Sequence, residues 1–166
     1  MIHFHDSIVC TVMPGPLGPM TVAATCHGLA GLFFADQRHL PAISHWRHEP
    51  GHPVLREAAT QVAQYFEGRR SRFELPLDLQ GGTPFQQSVW RALLAIPSGA
   101  TTSYGALSRA IGRPQAVRAV GTAIGRNPVS IVVPCHRVIG TDGTLTGYAG
   151  GLDRKSALLR LEGVAH

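Results

Sequence analysis

Apolar positions fall into two regimes along this chain. In the first third they come in short runs separated by turn formers. Residues 8–13, 20–26 and 29–34 are rich in Val, Ile, Thr and Phe, with Pro14-Gly15-Pro16, Gly18-Pro19 and His27-Gly28 as punctuation. Such runs predict the strands of a small antiparallel sheet. Residues 36–53 carry prolines and histidines without a period and predict a long loop. Val54, Leu55, Ala58, Val62, Tyr65 and Phe66 then share one helical face, and Gly68 closes that helix. In the connecting stretch 69–82, Phe73, Leu75 and Leu77 alternate as an edge strand does.

After residue 82 the pattern becomes helical. Thr83-Pro84 is an N-cap followed by proline at the first helical position. Phe85, Val89, Trp90, Leu93 and Leu94 form the apolar stripe of that helix, which ends at Pro97 to Gly99. Ser103 caps a second helix, Tyr104 to Ile111, closed by Gly112. Pro114 starts a third, running to about Ile124 and closed by Gly125. Two short helices joined by a Gly-Arg-Pro turn predict a helix-turn-helix. Ile131 to Val133 read as a short buried strand that Pro134 ends. Asp142-Gly143 signals a hairpin turn, and Asp153 begins a last helix with Leu158, Leu159 and Leu161 inward and Gly163 at its end.

The fold class is therefore α+β. A small antiparallel sheet with one helix occupies residues 1–80. A mostly helical domain with the helix-turn-helix occupies 81–166. Hydrophobic content of 44% with only 15% charged residues excludes a disordered chain. No apolar run approaches the roughly 20 residues of a membrane span, and the start Met1-Ile2-His3 has no signal-peptide character. The expectation is a soluble, cytoplasmic protein with no membrane contact. Cys10, Cys26 and Cys135 make a poor disulfide framework, which suits a reducing compartment.

Charge changes the picture. Residues 1–82 carry six arginines against seven acids, whereas residues 83–166 carry eight arginines and Lys155 against Asp142, Asp153 and Glu162. Arginine forks onto phosphate and stacks on bases better than lysine does. A basic half beside a neutral half points to an anionic partner, nucleic acid first, against the plainer reading of charge kept for solubility.

The candidate chemistry is the tetrad Pro134-Cys135-His136-Arg137. A thiol beside an imidazole is the minimum kit for a nucleophilic sulfur, because the thiolate attacks and a neighbouring base raises its population. The competing reading is an inert buried cysteine beside a chance histidine. The third helix adds a second clue. Ala116, Ala119, Gly121 and Ala123 make its surface small, and Arg118 projects from it. Such a helix can enter a groove and push a guanidinium into a base stack, or it can be a tightly packed core helix with Arg118 facing water.

Asn127-Pro128, Ile131 to Val138, Gly147-Tyr148-Ala149-Gly150-Gly151 and the Ser103-Tyr104 helix start resemble the O6-alkylguanine-DNA alkyltransferases. The resemblance covers residues 83–163 closely and the first half loosely, through Pro16-Leu17-Gly18. It implies a ribonuclease H-like first domain and the short, stand-alone bacterial type. It also implies repair of duplex DNA by irreversible transfer of the alkyl group of O6-methylguanine, or of O4-methylthymine, to a protein cysteine. No cofactor, metal or obligate protein partner is implied.

The resemblance also assigns roles. Cys135 would accept the alkyl group, His136 would take its proton through a water, and Glu162 would orient the imidazole. Tyr104 would protonate the leaving guanine, and Asn127 would brace the hydrogen bonds around the thiol. Arg118 would replace the extruded nucleotide, with Ala116, Ala119 and Gly121 in the groove and Thr101, Thr102 and Ser103 on phosphate. Tyr148, Ala149 and Gly150 would close the base pocket and Val138 would bound it. Ala149 stands where some members have serine, and Val117 and Thr122 are bulkier than alanine or glycine on the groove helix. Base flipping is required because the methyl group is buried in the stack. A non-catalytic DNA-binding module and a Cys-His-Glu hydrolase are the rival functions. For metal, Cys10, Cys26 and His27 do not follow the zinc pattern of some relatives. His45, His48 and His52 have ligand-like spacing in what reads as a solvated loop.

Overall fold

The computed structural model describes residues 2–165. Three strands, β1 (Val9–Met13), β2 (Met20–Thr25) and β3 (Gly28–Phe34), pair antiparallel with β2 in the middle. The register sets Val9 opposite Ala24 and Met20 opposite Phe34. A two-residue strand, β4 (Arg47–His48), adds to β1 in parallel, so the expected long loop 36–53 contains a strand. Every residue of β2 and β3 is buried. Helix α1 (Pro53–Phe66) covers one face of the sheet with Leu55, Ala58, Val62 and Tyr65. Phe4 and Trp46 cover Ala23 and Phe33 on the other. A sheet buried on both faces reads as continuous apolar runs rather than clean alternation.

The free edge of β3 holds the two halves together. Leu29 donates to Pro76 O and accepts from Asp78 N–H, both at 2.8 Å. The expected edge strand of Phe73, Leu75 and Leu77 shrinks to this single bridge at Leu77. Gly28 enables it, since a Cβ there would sit 2.5 Å from Pro76 O. Further along, Leu32 N–H donates to Pro128 O at 2.9 Å and Leu32 O accepts from Ser130 N–H at 3.0 Å. An unpaired sheet edge is a ready-made partner for passing backbone, and here it seats the segment that precedes Cys135.

The second half is helical. Thr83 and Gln86 form a reciprocal capping box on α2 (Pro84–Leu93). The α2 residue Trp90 is fully buried, and its Nε1–H donates to Ala123 O at 2.8 Å. That bond ties α2 to α4 (Val117–Gly125). Between them run β5 (Thr102–Ser103) and α3 (Tyr104–Ala110), whose N-cap Ser103 accepts from Ala106 N–H. Helix α4 starts at Val117 rather than at Pro114, because residues 113–116 close a turn through Ala116 N–H to Arg113 O. Helix α5 (Leu152–Leu161) begins at Leu152, with Asp153 in its first turn.

Other expectations need correction. Leu94 and Leu161 face solvent and leave the core to Leu93, Leu158 and Leu159. Asp142-Gly143 does form a tight turn, closed by Gly140 N–H to Thr144 O at 2.9 Å. It is not a hairpin, because β6 (Val138–Ile139) pairs in parallel with β5 instead. Residues 131–133 are no strand. Val133 N–H bonds back to Val129 O at 3.0 Å, and Ile131 adopts φ +72°. None of the helices among the described residues is long and apolar enough to cross a membrane.

Candidate active site

The residues before Cys135 are wound into a compact turn, and Asn127 holds that turn from inside. Its Oδ1 accepts from Val129 N–H at 3.0 Å, and its Nδ2 donates to Val133 O at 2.8 Å. The same amide nitrogen reaches Cys135 Sγ at 3.0 Å. A β-branched residue at positive φ, as at Ile131, is strained by roughly 1–3 kcal/mol and persists only where its surroundings hold it. The Asn127 bonds and the β3 edge do so here.

Cys135 to Arg137 form one 3-10 turn, so successive side chains leave in different directions. Among the described residues no hydrogen bond joins Cys135 Sγ to the His136 ring, and each has its own partner. His136 is fully buried, and its Nε2 lies 2.8 Å from Glu162 Oε1. A carboxylate only accepts, so Nε2 carries the proton and Nδ1 is the basic nitrogen. Nδ1 has no hydrogen-bond partner among the described residues.

Glu162, just past the end of α5, is the hub. Besides His136 it accepts from Arg137 Nε at 2.9 Å, from Arg137 Nη2 at 2.8 Å and from Tyr65 Oη at 2.7 Å. Burial alone would raise its pKa, but these donors bring it down to about 2. Arg137 is itself anchored by Nη1 to Ile96 O at 2.5 Å. Burial pushes the Cys135 thiol up, partly offset by Asn127. Burial pushes the His136 pKa down, opposed by Glu162. The resting pair is therefore neutral thiol and neutral imidazole beside a fixed carboxylate.

The candidate pocket residues lie on two segments that Lys155 Nζ joins, at Val138 O and at Thr146 O. Val138 is buried and pairs with Thr102 across β5 and β6. Tyr148 is buried, and its hydroxyl pKa is pushed far up by burial and by Cys135. A Cβ on Gly150 would press on the Tyr148 ring at 2.8 Å, which explains glycine there. Ala149 O accepts from Arg38 N–H at 3.0 Å, so the loop is pinned from the first half as well. Tyr104 Oη donates to Thr146 O at 3.0 Å, beside the same loop.

Helix α4 turns Val120, Ala123 and Ile124 inward and leaves Val117, Arg118, Ala119 and Thr122 exposed. The Arg118 guanidinium has no salt-bridge or hydrogen-bond partner among the described residues. Gly121 lies under the Tyr104 ring, where a Cβ would be 3.7 Å away. Ala116 is the N-cap of α4 rather than part of it. Thr101, Thr102 and Ser103 are half-buried, and the Ser103 hydroxyl is already used as a helix cap.

Three contributors carry no role in the sequence reading: Tyr65, Arg137 and Lys155. Tyr65 lies on an apolar stripe that explains it fully. Lys155, Leu158 and Leu159 fall at i, i+3 and i+4, so the inward face of α5 contains a lysine, and that spacing was visible. Elsewhere, His5, Cys26 and His27 bring ligand atoms within 4.8 Å of one another at the β2–β3 turn, whereas His45, His48 and His52 form no such group among the described residues. A cavity of about 800 Å³ lies between residues 2–8, the 37–47 segment and the end of α4. Asn127 lines this cavity as well as the thiol turn.

Residues 84–164 match the family model for the 6-O-methylguanine DNA methyltransferase DNA binding domain, and residues 8–79 match that for the family's ribonuclease-like domain. A methylated-DNA–protein-cysteine methyltransferase of Mycobacterium bovis is 48% identical over 162 residues, 98% of this chain and 93% of that protein. One from Methanosarcina barkeri is 45% identical over 152 residues, covering 91% and 94%. The crystal structure of Mycobacterium tuberculosis O6-methylguanine methyltransferase superposes with a TM-score of 0.85 at 48% identity, covering 93% and 92% of the two chains. The same organism's protein in complex with DNA gives 0.84, over 91% and 90%.

Proposed function

This chain belongs to the 6-O-methylguanine DNA methyltransferase family, and we propose how its residues divide the work of that reaction. It repairs methylated duplex DNA by moving an alkyl group onto one of its own cysteines. Cys135 is the acceptor we propose. The observation that carries this choice is the pair of contacts Asn127–Cys135 and His136–Glu162 on adjacent residues, with His136 Nδ1 unpaired among the described residues. Cys10 and Cys26 are also free thiols, but among the described residues neither has a histidine–carboxylate pair behind it.

In the transfer step Cys135 Sγ attacks the alkyl carbon. The carbon–O6 bond breaks, and its electron pair passes to guanine O6 and the ring. The thiol proton goes to His136 Nδ1 through one water, and Glu162 stabilises the imidazolium from the other side. Tyr104 protonates the departing guanine, after its hydroxyl leaves Thr146 O. Tyrosinate and imidazolium then regain neutrality by exchange with solvent. The resulting thioether has no bond that water can readily cleave, so each molecule acts once.

Arg118 and the small exposed face of α4 are the DNA contact in this reading, with the guanidinium filling the hole left by the flipped nucleotide. Tyr148, Ala149 and Gly150 face Val138 across the base slot. The division of labour follows a boundary at residues 80 and 81, supported by family models that stop at 79 and resume at 84. A reducing cytoplasm suits three free cysteines. The decisive experiment is intact mass and peptide mapping after incubation with duplex DNA containing O6-methylguanine. One methyl on Cys135 is expected. A methyl on Cys10 or Cys26, or none at all, overturns the assignment.

A further inference from the structure

The cavity of about 800 Å³ between residues 2–8, the 37–47 segment and the end of α4 has a chemistry of its own. Phe4, Phe33 and Trp46 form its apolar wall, with the Phe4 and Trp46 rings edge to face at 4.9 Å. Gln37 also lines it and is only 7% exposed. Gln37 Oε1 accepts from Phe34 N–H at 2.9 Å. A backbone N–H only donates, so this bond fixes which end of the amide is oxygen. The other end, Nε2, donates to nothing among the described residues. A nearly buried donor without an acceptor is costly in a packed interior and useful in a binding site.

The exposed lining residues add positive charge. Arg126 follows directly on α4, and His39 stands near it on the 37–47 segment. Burial, then the guanidinium groups of Arg126 and Arg38, push the His39 pKa down from 6.5. His39 holds φ +63°, a region that residues other than glycine occupy sparsely. Glu49 already pairs with Arg47, and Asp36 with Arg154. Asp6 is the one carboxylate among the lining residues, and no salt bridge to Arg126 or His39 exists among the described residues. An apolar wall for a flat ring, one amide donor and a pair of cations without an anion are the parts of a site for an aromatic phosphate.

We propose that this cavity is a nucleotide site: the base lies against the Phe4–Phe33–Trp46 wall, Gln37 Nε2 donates to an acceptor on its edge, and the phosphate bridges Arg126 and His39. The nucleotide is either free or part of a DNA strand, and the chemistry is the same for both. The strand is geometrically open to it, since Arg118 and Arg126 lie roughly 12 Å apart along the helix axis, about the rise of three to four nucleotides of one strand. Only that second source rests on the reading of α4 as the DNA contact. The site itself is independent of the work given to Cys135.

The probe is dAMP, whose ring nitrogens accept hydrogen bonds and which carries no alkyl group to transfer. Isothermal titration into the full chain should show binding, and deoxyadenosine, without the phosphate, should bind more weakly. Arg126→Ala should weaken dAMP about tenfold, the loss of one charge-assisted hydrogen bond, and leave deoxyadenosine within about twofold. His39→Gly suits the positive φ and should weaken dAMP with the same selectivity. Gln37→Glu keeps the acceptor for Phe34 N–H but loses the donor, so it should weaken both ligands. Saturating dAMP should leave single-turnover benzylation by free O6-benzylguanine unchanged. Absence of binding at millimolar dAMP would overturn the proposal. So would equal losses of dAMP and deoxyadenosine in Arg126→Ala, or benzylation slowed by dAMP, which would put the ligand in the base slot. If Gln37→Glu does not fold, the two exposed variants decide. Undamaged duplex then identifies the source: displacement of dAMP assigns the site to a strand nucleotide, and simultaneous binding assigns it to a free one. An Arg118→Ala protein that binds duplex like wild type would overturn the α4 reading and leave the dAMP result standing.

Discussion

Tyr65, on the helix that covers the N-terminal sheet, donates a 2.7 Å hydrogen bond to Glu162 Oε1, the same oxygen that His136 Nε2 contacts at 2.8 Å. The first half of the chain thus holds the carboxylate behind the proposed base. With Arg137 gripping both Glu162 oxygens, the carboxylate is kept ionised and fixed in direction. An imidazole that meets such a carboxylate stays in one tautomer.

Tyr65→Phe should therefore act at a distance. It keeps the ring packing and removes one donor to Glu162. We expect single-turnover transfer from O6-methylguanine duplex to slow by about 3- to 10-fold, the scale of one hydrogen bond to a charged group. Affinity for DNA should hold, because Tyr65 is buried and lies on α1 rather than on the proposed contact helix α4. An unchanged rate would mean that Arg137 alone fixes the carboxylate.

The pH dependence of stability follows from Glu162. Its folded pKa is lowered to about 2 from an ordinary value of 4.5. A depressed carboxylate contributes stability that is fully present above 4.5 and lost as pH falls toward 2. Glu162→Gln should thus flatten the acid limb of the melting temperature between those pH values, relative to wild type. Thermal denaturation from pH 6 down to pH 2.5 checks this, and coincident limbs would show that other carboxylates dominate.

His136 should keep the reaction insensitive to mild acid. Its ordinary pKa of 6.5 is lowered by burial, so the imidazole stays neutral and basic below that pH. The transfer rate, measured on substrate-saturated protein, should fall only at a pH below 6.5. His136→Ala should cost on the order of 10²–10⁴ in rate with little loss of DNA binding. A rate that halves near pH 6.5 would place the imidazole in water-like surroundings, against the buried geometry.

Arg118 separates base extrusion from chemistry. Its guanidinium is exposed and unpaired among the described residues, so Arg118→Ala should repair duplex DNA poorly yet react normally with free O6-benzylguanine. Arg118→Lys restores charge without the planar fork and should recover duplex repair only in part. Equal slowing of both substrates would assign Arg118 to the pocket instead.

Asn127→Ala should cost stability before it costs anything else. It leaves Val129 N–H buried and unpaired and removes one of the two bonds to Val133 O, which keeps Cys135 N–H, a cost of about 1–3 kcal/mol. Urea unfolding should show a lower midpoint at unchanged slope. A wild-type midpoint would mean that the β3 edge alone holds the turn.

Local pattern was enough for the elements and for the chemistry of the tetrad. Strand runs, the Thr83-Pro84 cap and the inward stripes of α1 and α2 depend on neighbours a few residues away, and those are written in order along the chain. Proximity of Cys135 to His136, the small face of α4 and its lone arginine are likewise local facts. The turn at residues 129–133 was not legible, because its apolar run suits a strand equally well. Only the β3 edge and the Asn127 side chain select the bent form over the extended one. Tyr65, Arg137 and Lys155 escaped for a related reason. Each has an ordinary local reading, as a stripe aromatic, a loop arginine and a helix lysine. Their roles exist only where α1, the Cys135 turn and α5 converge on Glu162 or on the Val138 and Thr146 carbonyls. Burial in that shared interior, where an unpaired polar group is expensive, decided what each of those side chains must hold.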